Sequence, residues 1–145
     1  DIEPEDDPWQ ELKVLDACST CDLCQKSCPT GAIRKDRFML DTAKCLAFLN
    51  ESEEAIPSWV NPDAHNSLIG CMRCQDICPY NRKVKDWIKD IGELNESKTR
   101  MLLELGSKHI RDTHVIKWIK ELGIYEFGAG LILRNLQLLF DKLKY

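Results

Sequence analysis

Cysteine is the residue type in this 145-residue chain that could do the most distinctive chemistry. Eight cysteines are present, and all of them lie between Cys18 and Cys78. Thiolates bind zinc or iron–sulfur clusters, whereas structural disulfides belong mainly to secreted proteins. Because the chain shows neither a basic start nor the apolar segment of a secretory signal, we expect a metal centre rather than a disulfide framework.

The spacing of the first four cysteines favours a pair of 4Fe-4S clusters. They form the run Cys18-x2-Cys21-x2-Cys24-x3-Cys28, followed by Pro29. In bacterial two-cluster ferredoxins this run wraps three thiolates around one cube and sends the fourth to the other cube. Two zinc sites of four cysteines each stay open as an alternative, although zinc is usually bound by separated x2 pairs.

A second copy of the run follows at a constant offset of 50 residues, with the same glutamine and proline. It contains Cys71, Cys74 and Cys78, but Leu68 stands where a fourth cysteine would be, and Cys45 is left over. Reciprocal sharing between the two copies then uses every cysteine once. It assigns Cys18, Cys21, Cys24 and Cys78 to the first cluster, and Cys28, Cys45, Cys71 and Cys74 to the second.

The composition divides the chain into three parts. Residues 1–11 are acidic and predict an exposed linker. Residues 12–82 are rich in cysteine and turn residues, which predicts a loop-rich double 4Fe-4S domain held together by its ligands. This domain includes a stretch of 25 residues between Cys45 and Cys71, residues 46–70, which we call the insertion. Residues 83–145 predict a helical C-terminal domain.

Local patterns predict the elements that position the cysteines. Residues 32–34 and 38–40 predict a short hairpin, and Asp41 predicts the cap of a helix that runs from Cys45 to Leu49. After Tyr80, apolar residues at three- and four-residue spacing predict four helices, the second of which ends at Gly106. Asp112 is expected to cap the third helix, and the fourth runs from about residue 129 to residue 144. The sequence therefore predicts a mainly α protein with a small α+β part: a bacterial-type two-cluster ferredoxin module followed by a short, HEAT-like tail of helical hairpins.

Charge and hydropathy narrow the class of partner. Residues 1–80 carry 7 basic and 15 acidic side chains, net −8, whereas residues 81–145 carry 13 basic and 9 acidic ones, net +4. The overall charge of −4 argues against phosphate-backbone binding by the whole chain, although the tail keeps a local contact open. No apolar run approaches the length of a membrane span, so we expect a cytoplasmic protein without a membrane partner.

Other residues that could do chemistry receive no site role. His65, His109 and His114 are expected at the surface or in caps, and Arg134 is expected to be solvated on its helix. Tryptophans such as Trp87 are expected to be core or interface anchors.

Several motifs together resemble one family. These are Cys28-Pro-Thr-Gly-Ala-Ile33, the Asp41-x3-Cys45 pair, the long gap, and the segment from Ile69 through Asn81. They are similar to the epoxyqueuosine reductases and their relatives, in which a cobalamin-binding N-terminal domain precedes a double-cluster module and helical repeats. The sequence departs from the tRNA-modifying members at Tyr80, where they commonly have tryptophan.

The resemblance implies a function in electron transfer. We expect the iron–sulfur module of a cobalamin-dependent reductase, which passes electrons through two 4Fe-4S clusters to a corrinoid. Its partners would be the cobalamin-binding domain, in an upstream part of the same parent protein, and an external donor such as ferredoxin or flavodoxin. The chain contains no nucleotide-binding glycine fingerprint and no spare cysteine, so we expect it not to be catalytic alone. The alternatives are a dicluster ferredoxin for an unrelated partner, and a structural module that braces a nucleic-acid-binding helical tail, for which tRNA would be the ligand.

Overall fold

The computed structural model describes residues 15–36, 39–88, 90 and 92–143, and it is mostly helical. The acidic stretch of residues 1–11 lies outside the described residues. Short 3-10 turns connect the α-helices, and one longer 3-10 segment spans Pro79–Trp87. The α-helices are α1 (Leu23–Ser27), α2 (Leu46–Glu51), α3 (Arg73–Asp76), α4 (Glu96–Lys108), α5 (Thr113–Glu121) and α6 (Ala129–Lys142). This architecture confirms the predicted mainly α fold class.

The two copies of the cysteine run form a contacting pair of short helices, α1 and α3. The Ser27 hydroxyl at the end of α1 donates a hydrogen bond to the Arg73 carbonyl oxygen, 3.2 Å away, at the start of α3. Neither helix contains a buried residue. Five- and four-residue helices without a buried face have little intrinsic stability, so this part of the fold depends on what its cysteines bind.

The predicted hairpin is reduced to one antiparallel bridge between Ile33 and Leu40, and residues 37 and 38 of its turn lie outside the described residues. The prediction for Asp41 was wrong. Asp41 precedes a 3-10 turn over Thr42–Lys44, makes no side-chain cap and pairs instead with Lys44 at 3.2 Å. Helix α2 begins only after Cys45, which places that thiol at the helix start.

The insertion has a small core of its own. Leu46 and Leu49 of α2 pack with Val60 and Ala64, and all four side chains are buried. His65 lies next to this cluster, at the C-cap of the 3-10 turn Pro62–Ala64, and is only 2% exposed, so of the two predicted places it occupies a cap and not the surface. The insertion is therefore a packed element rather than an open loop.

Helices α4, α5 and α6 pack against one another around the main core. A side-chain cap begins each of the first two of these helices. At α4 the Asn95 side chain accepts a hydrogen bond from the Lys98 amide at 2.9 Å, and at α5 the Asp112 side chain accepts one from the His114 amide at 2.8 Å. The Asp112 cap confirms the prediction from the sequence. The buried residues of the main core are Leu102, Val115, Trp118, Ile119, Leu131, Ile132, Leu133 and Leu136.

Gly106 does not end a helix, and the prediction that it does was wrong. It lies inside α4, where a Cβ atom would come within 2.4 Å of Leu133 Cδ1 on α6. Glycine at this position lets the two helices approach closely.

The segment after Tyr80 also differs from the prediction. In place of an amphipathic α-helix, it forms the 3-10 segment Pro79–Trp87, and residues 89 and 91 lie outside the described residues. Trp87 is 77% exposed and is not a core anchor. None of the helices in the described ranges is long and apolar enough to cross a membrane.

The boundary between residues 12–82 and 83–145 stays a prediction. Contacts cross it: Leu68 and Ile69 of the insertion pack onto the core of α4–α6, and α2 contacts α6.

Candidate metal centre

Four thiols from three separate segments line one cavity of about 300 Å³. They are Cys28, Cys45, Cys71 and Cys74. Reciprocal sharing between the two copies of the run assigns these four cysteines to the second cluster, and that ligand assignment stays a prediction.

Local backbone geometry explains how these thiols meet. Cys28 follows the last residue of α1, and Cys45 directly precedes α2. Cys71 lies between two residues in the left-handed conformation, Gly70 with φ 70° and Met72 with φ 56°. Glycine adopts this conformation easily, whereas Met72 is strained in it. The two reversals turn the chain on either side of Cys71 before α3 carries Cys74 back toward the cavity.

Hydrogen bonds favour the thiolate form of Cys28. Burial raises the pKa of this thiol, but donors from Thr30, Ile33 and Ala32 outweigh it, so that the pKa of Cys28 is lowered. The Ala32 amide lies 3.2 Å from the Cys28 sulfur, and the Thr30 hydroxyl lies 3.7 Å from it. Donors that favour the thiolate form also favour the binding of a metal centre by this sulfur.

The pKa of the Cys74 thiol is shifted in the opposite direction. Burial raises its pKa, and the neighbouring charges of Cys71, Cys28 and Cys45 raise it further. Positive charge in the cavity would relieve the repulsion among these thiolates, so the arrangement suits a metal centre.

The cavity fits an iron–sulfur cube by its chemistry. Its four sulfur donors are the ligands such a cube requires, and its walls include the buried apolar side chains of Ala32 and Leu46. Within the described ranges, no three His, Cys, Asp or Glu side chains stand close enough to hold a single metal ion.

The other four cysteines lie around the helix pair α1 and α3. Cys24 belongs to α1, Cys18 ends the 3-10 turn before it, and Cys78 follows α3. Because α1 and α3 contact each other, the segments of Cys24 and Cys78 are neighbours in the fold. All four are partly buried, and their common ligation of a first cluster stays a prediction: Cys18, Cys21, Cys24 and Cys78.

The glutamine shared by the two repeats supports the loops around the cysteines. Gln25 donates to the Arg34 carbonyl oxygen at 2.6 Å, and Asn81 donates to the Gln75 side chain at 2.7 Å. The repeat itself was the sequence signal for these positions.

The position of Arg134 differs from the prediction. A solvated arginine is expected from the sequence, whereas the guanidinium of Arg134 reaches across to backbone carbonyls of the insertion. The neighbouring Asn135 is almost fully buried and also donates to the insertion. A polar residue within the apolar periodicity of α6 was the signal that could have indicated a buried contact.

Comparison with known proteins identifies the domain that contains the cysteines. The family model for a 4Fe-4S double cluster binding domain matches residues 17–81, which contain all eight cysteines. The chain therefore carries a double 4Fe-4S cluster binding domain.

Sequence similarity to known proteins extends beyond this domain. The chain is 31% identical over 112 residues to the epoxyqueuosine reductase of Staphylococcus aureus, covering 75% of this chain and 28% of that protein. It is 40% identical over 80 residues to the epoxyqueuosine reductase of Escherichia coli K12, covering 54% of this chain and 20% of the relative. It is 33% identical over 104 residues to an uncharacterized protein in the gldA 3′ region of Geobacillus stearothermophilus, covering 68% of this chain and 47% of that protein. The chain thus spans less than half the length of each of these relatives.

A solved structure has the same fold. The epoxyqueuosine reductase from Streptococcus thermophilus matches with a TM-score of 0.63 at 22% identity. The match covers 96% of this chain and 35% of that one, so it includes the helices after the cysteine-rich part. The chain is therefore similar to the epoxyqueuosine reductases, both in its double 4Fe-4S cluster binding domain and in the fold of the helices that follow it.

Proposed function

We propose that this chain is the iron–sulfur electron-transfer module of a cobalamin-dependent reductase. The observation that carries the proposal is the cavity in which thiols from both repeats meet Cys45, within a double 4Fe-4S cluster domain. In this proposal each cluster takes ligands from both repeats. The sets are Cys18, Cys21, Cys24 and Cys78 for the first cluster, and Cys28, Cys45, Cys71 and Cys74 for the second.

When bound, a 4Fe-4S cube supplies one-electron transfer with little rearrangement. The chain holds the cube and tunes it. The amide of Ala32 directs a hydrogen bond at the Cys28 sulfur, and such bonds shift a cluster's reduction potential upward by stabilising its more negative state. The buried side chains of Ala32 and Leu46 limit the access of water.

The route of the electron in this proposal begins and ends outside the chain. An external donor such as ferredoxin or flavodoxin supplies the electron in the cytoplasm. The cobalamin-binding domain of the parent protein accepts it, and substrate reduction occurs there. This division of labour follows from the residues: in this proposal all eight cysteines are ligands, so none is left to act as a nucleophile.

The pairing of basic side chains weakens the case for nucleic-acid binding by the tail. Three of these side chains on α4 and α5 already have acidic partners at i,i+4 spacing. The pairs are Arg100 with Glu96 at 2.7 Å, Lys108 with Glu104 at 2.6 Å, and Lys117 with Glu121 at 3.9 Å. A phosphate backbone is bound by basic groups whose charge is not already balanced.

A direct experiment mixes two proteins without oxygen. The chain is loaded with clusters and reduced, the excess reductant is removed, and the chain is mixed with the separately expressed cobalamin-binding domain carrying Co(II). We expect the Co(II) absorbance to fall while the clusters reoxidise. The Cys74→Ala variant, which lacks one proposed ligand, should transfer fewer electrons per chain.

The opposite pattern would overturn the proposal. If the reduced clusters reoxidise rapidly with unrelated acceptors but leave Co(II) unchanged, the chain is a dicluster ferredoxin for another partner. Tight binding of tRNA by a chain that does not exchange electrons would favour the structural alternative.

A further inference from the structure

The insertion is fastened to α6 by the side chain of Arg134. All five N–H groups of its guanidinium have acceptors. Nε donates to the Asn135 side-chain oxygen at 3.1 Å. The other four N–H groups donate to backbone carbonyls of Leu49 at 3.1 Å, Asn50 at 3.2 Å, Ser52 at 2.8 Å and Glu54.

These acceptors lie at the carboxyl end of α2. The last carbonyls of a helix have no partner within the helix and need donors from elsewhere. Arg134 supplies those donors, and its positive charge also suits the negative end of the helix dipole. Since α2 begins directly after Cys45, fixing the far end of this six-residue helix also fixes the direction in which it leaves that thiol.

Asn135 fastens the other end of the insertion. Its side-chain amide donates to the carbonyls of both Asn50 and Leu68, at 2.7 Å each. The Asn50 side chain, which is completely buried, continues the connection with a hydrogen bond of 2.8 Å to the Gly70 carbonyl. Gly70 directly precedes Cys71 and lines the cysteine cavity.

Together these hydrogen bonds link α6 to both ends of the insertion. Cys45 directly precedes one end, and Cys71 directly follows the other. Glu51 also lines the cavity, and it lies between Asn50 and Ser52, whose carbonyls Arg134 binds. These hydrogen bonds end on Leu49, whose amide donates to the Cys45 carbonyl, and on Gly70, which precedes Cys71.

We propose that Arg134 and Asn135 are positioning residues for the second cluster, so that the last helix of the tail controls the incorporation and potential of that cluster and not of the first. This inference rests on the proposed ligand sets. It goes beyond them because it assigns a role at the metal centre to residues of the helical tail.

The test uses Arg134→Gln in the full chain, loaded with iron and sulfide without oxygen. We expect the iron content to fall from about eight per chain toward about four, the content of one 4Fe-4S cube. Arg134→Lys keeps the charge but cannot form the five-donor fork, so we expect partial occupancy and a shifted potential for the second cluster alone. Arg111→Gln, at the exposed junction of α4 and α5, is the matched control and should retain both clusters.

Combination with cysteine variants separates positioning from general loss of structure. In a Cys74→Ala background, which lacks the second cluster, Arg134→Gln should change neither the remaining iron nor the potential of the first cluster. In a Cys24→Ala background, it should remove most of the remaining iron. If Arg134→Gln lowers both clusters equally, or if both Arg134 variants keep two clusters with unchanged potentials, the positioning role is wrong. A wild-type chain that takes up no iron–sulfur cluster would instead refute the proposed function.

Discussion

Gly106→Ala tests whether α4 and α6 approach as closely as the structure places them. A Cβ atom at this position would lie 2.4 Å from Leu133 Cδ1, 2.9 Å from Cδ2 and 3.2 Å from Cγ. Leu133 is buried in the main core, so its side chain has little room to move. The helices must then separate or Leu133 must change rotamer.

Two opposing effects set the magnitude. Alanine gains about 1 kcal/mol over glycine inside a helix. Overpacking a filled core costs about 1–3 kcal/mol, and three contacts with one buried side chain place this case at the upper end. We expect Gly106→Ala to lower the free energy of unfolding by about 2 kcal/mol. Because Arg134 follows Leu133 on α6, we also expect reduced occupancy of the second cluster.

The assay is denaturant unfolding of the cluster-loaded chain without oxygen, followed by circular dichroism. Gly130→Ala is the matched control, because its Cβ would meet only Ile110 Cδ1, at 3.1 Å, on an exposed side chain. At Gly130 the higher helix propensity of alanine should outweigh this contact, so the free energy of unfolding should stay unchanged or rise by up to about 1 kcal/mol. In a Leu133→Ala background, Gly106→Ala should become stabilising because the clashing atoms are gone. If Gly106→Ala stabilises the unmodified chain as much as Gly130→Ala does, the close approach of α4 and α6 is wrong.

Three further predictions follow from the same structure. Asp112→Ala removes the cap of α5 and should lower stability by about 1 kcal/mol in the same unfolding assay. Burial, with the charges of Arg134 and Lys142, lowers the pKa of His65 in the folded chain. Below the ordinary pKa of about 6.5, the unfolded chain therefore binds a proton at His65 more readily than the folded chain does. The free energy of unfolding should decline as the pH falls below that value, and it should decline less in His65→Gln. Removal of iron by a chelator should abolish hydrogen-exchange protection around α1 and α3, which bury no residues, while α4–α6 stay protected; equal loss everywhere would contradict this.

The cysteines made the chemistry predictable. Their spacing and the repeat at a 50-residue offset indicate a double-cluster domain from the sequence alone, because the geometry of the metal centre fixes the spacing of its ligands. The periodicity of α5 and its cap at Asp112 were also visible, since both depend on residues close in sequence.

The differences from the prediction concern positions decided by distant partners. Gly106 has the composition of a helix end, but its environment is set by Leu133 on another helix. Arg134 lies on a helix face that the sequence makes look solvated, but its backbone acceptors lie 80 to 85 residues earlier in the chain. His65 is buried because the insertion packs a core of its own, for which its short apolar runs gave no periodic signal.

The central claim is that the two repeats exchange ligands around two cubes. Crystals of the chain loaded with iron and sulfide without oxygen, with diffraction measured on both sides of the iron absorption edge, test it most directly. We predict two iron-rich peaks, one bonded to the sulfurs of Cys28, Cys45, Cys71 and Cys74, and the other to those of Cys18, Cys21, Cys24 and Cys78. A peak that joins Cys78 to Cys71 and Cys74, or single metal ions in place of cubes, would contradict the account.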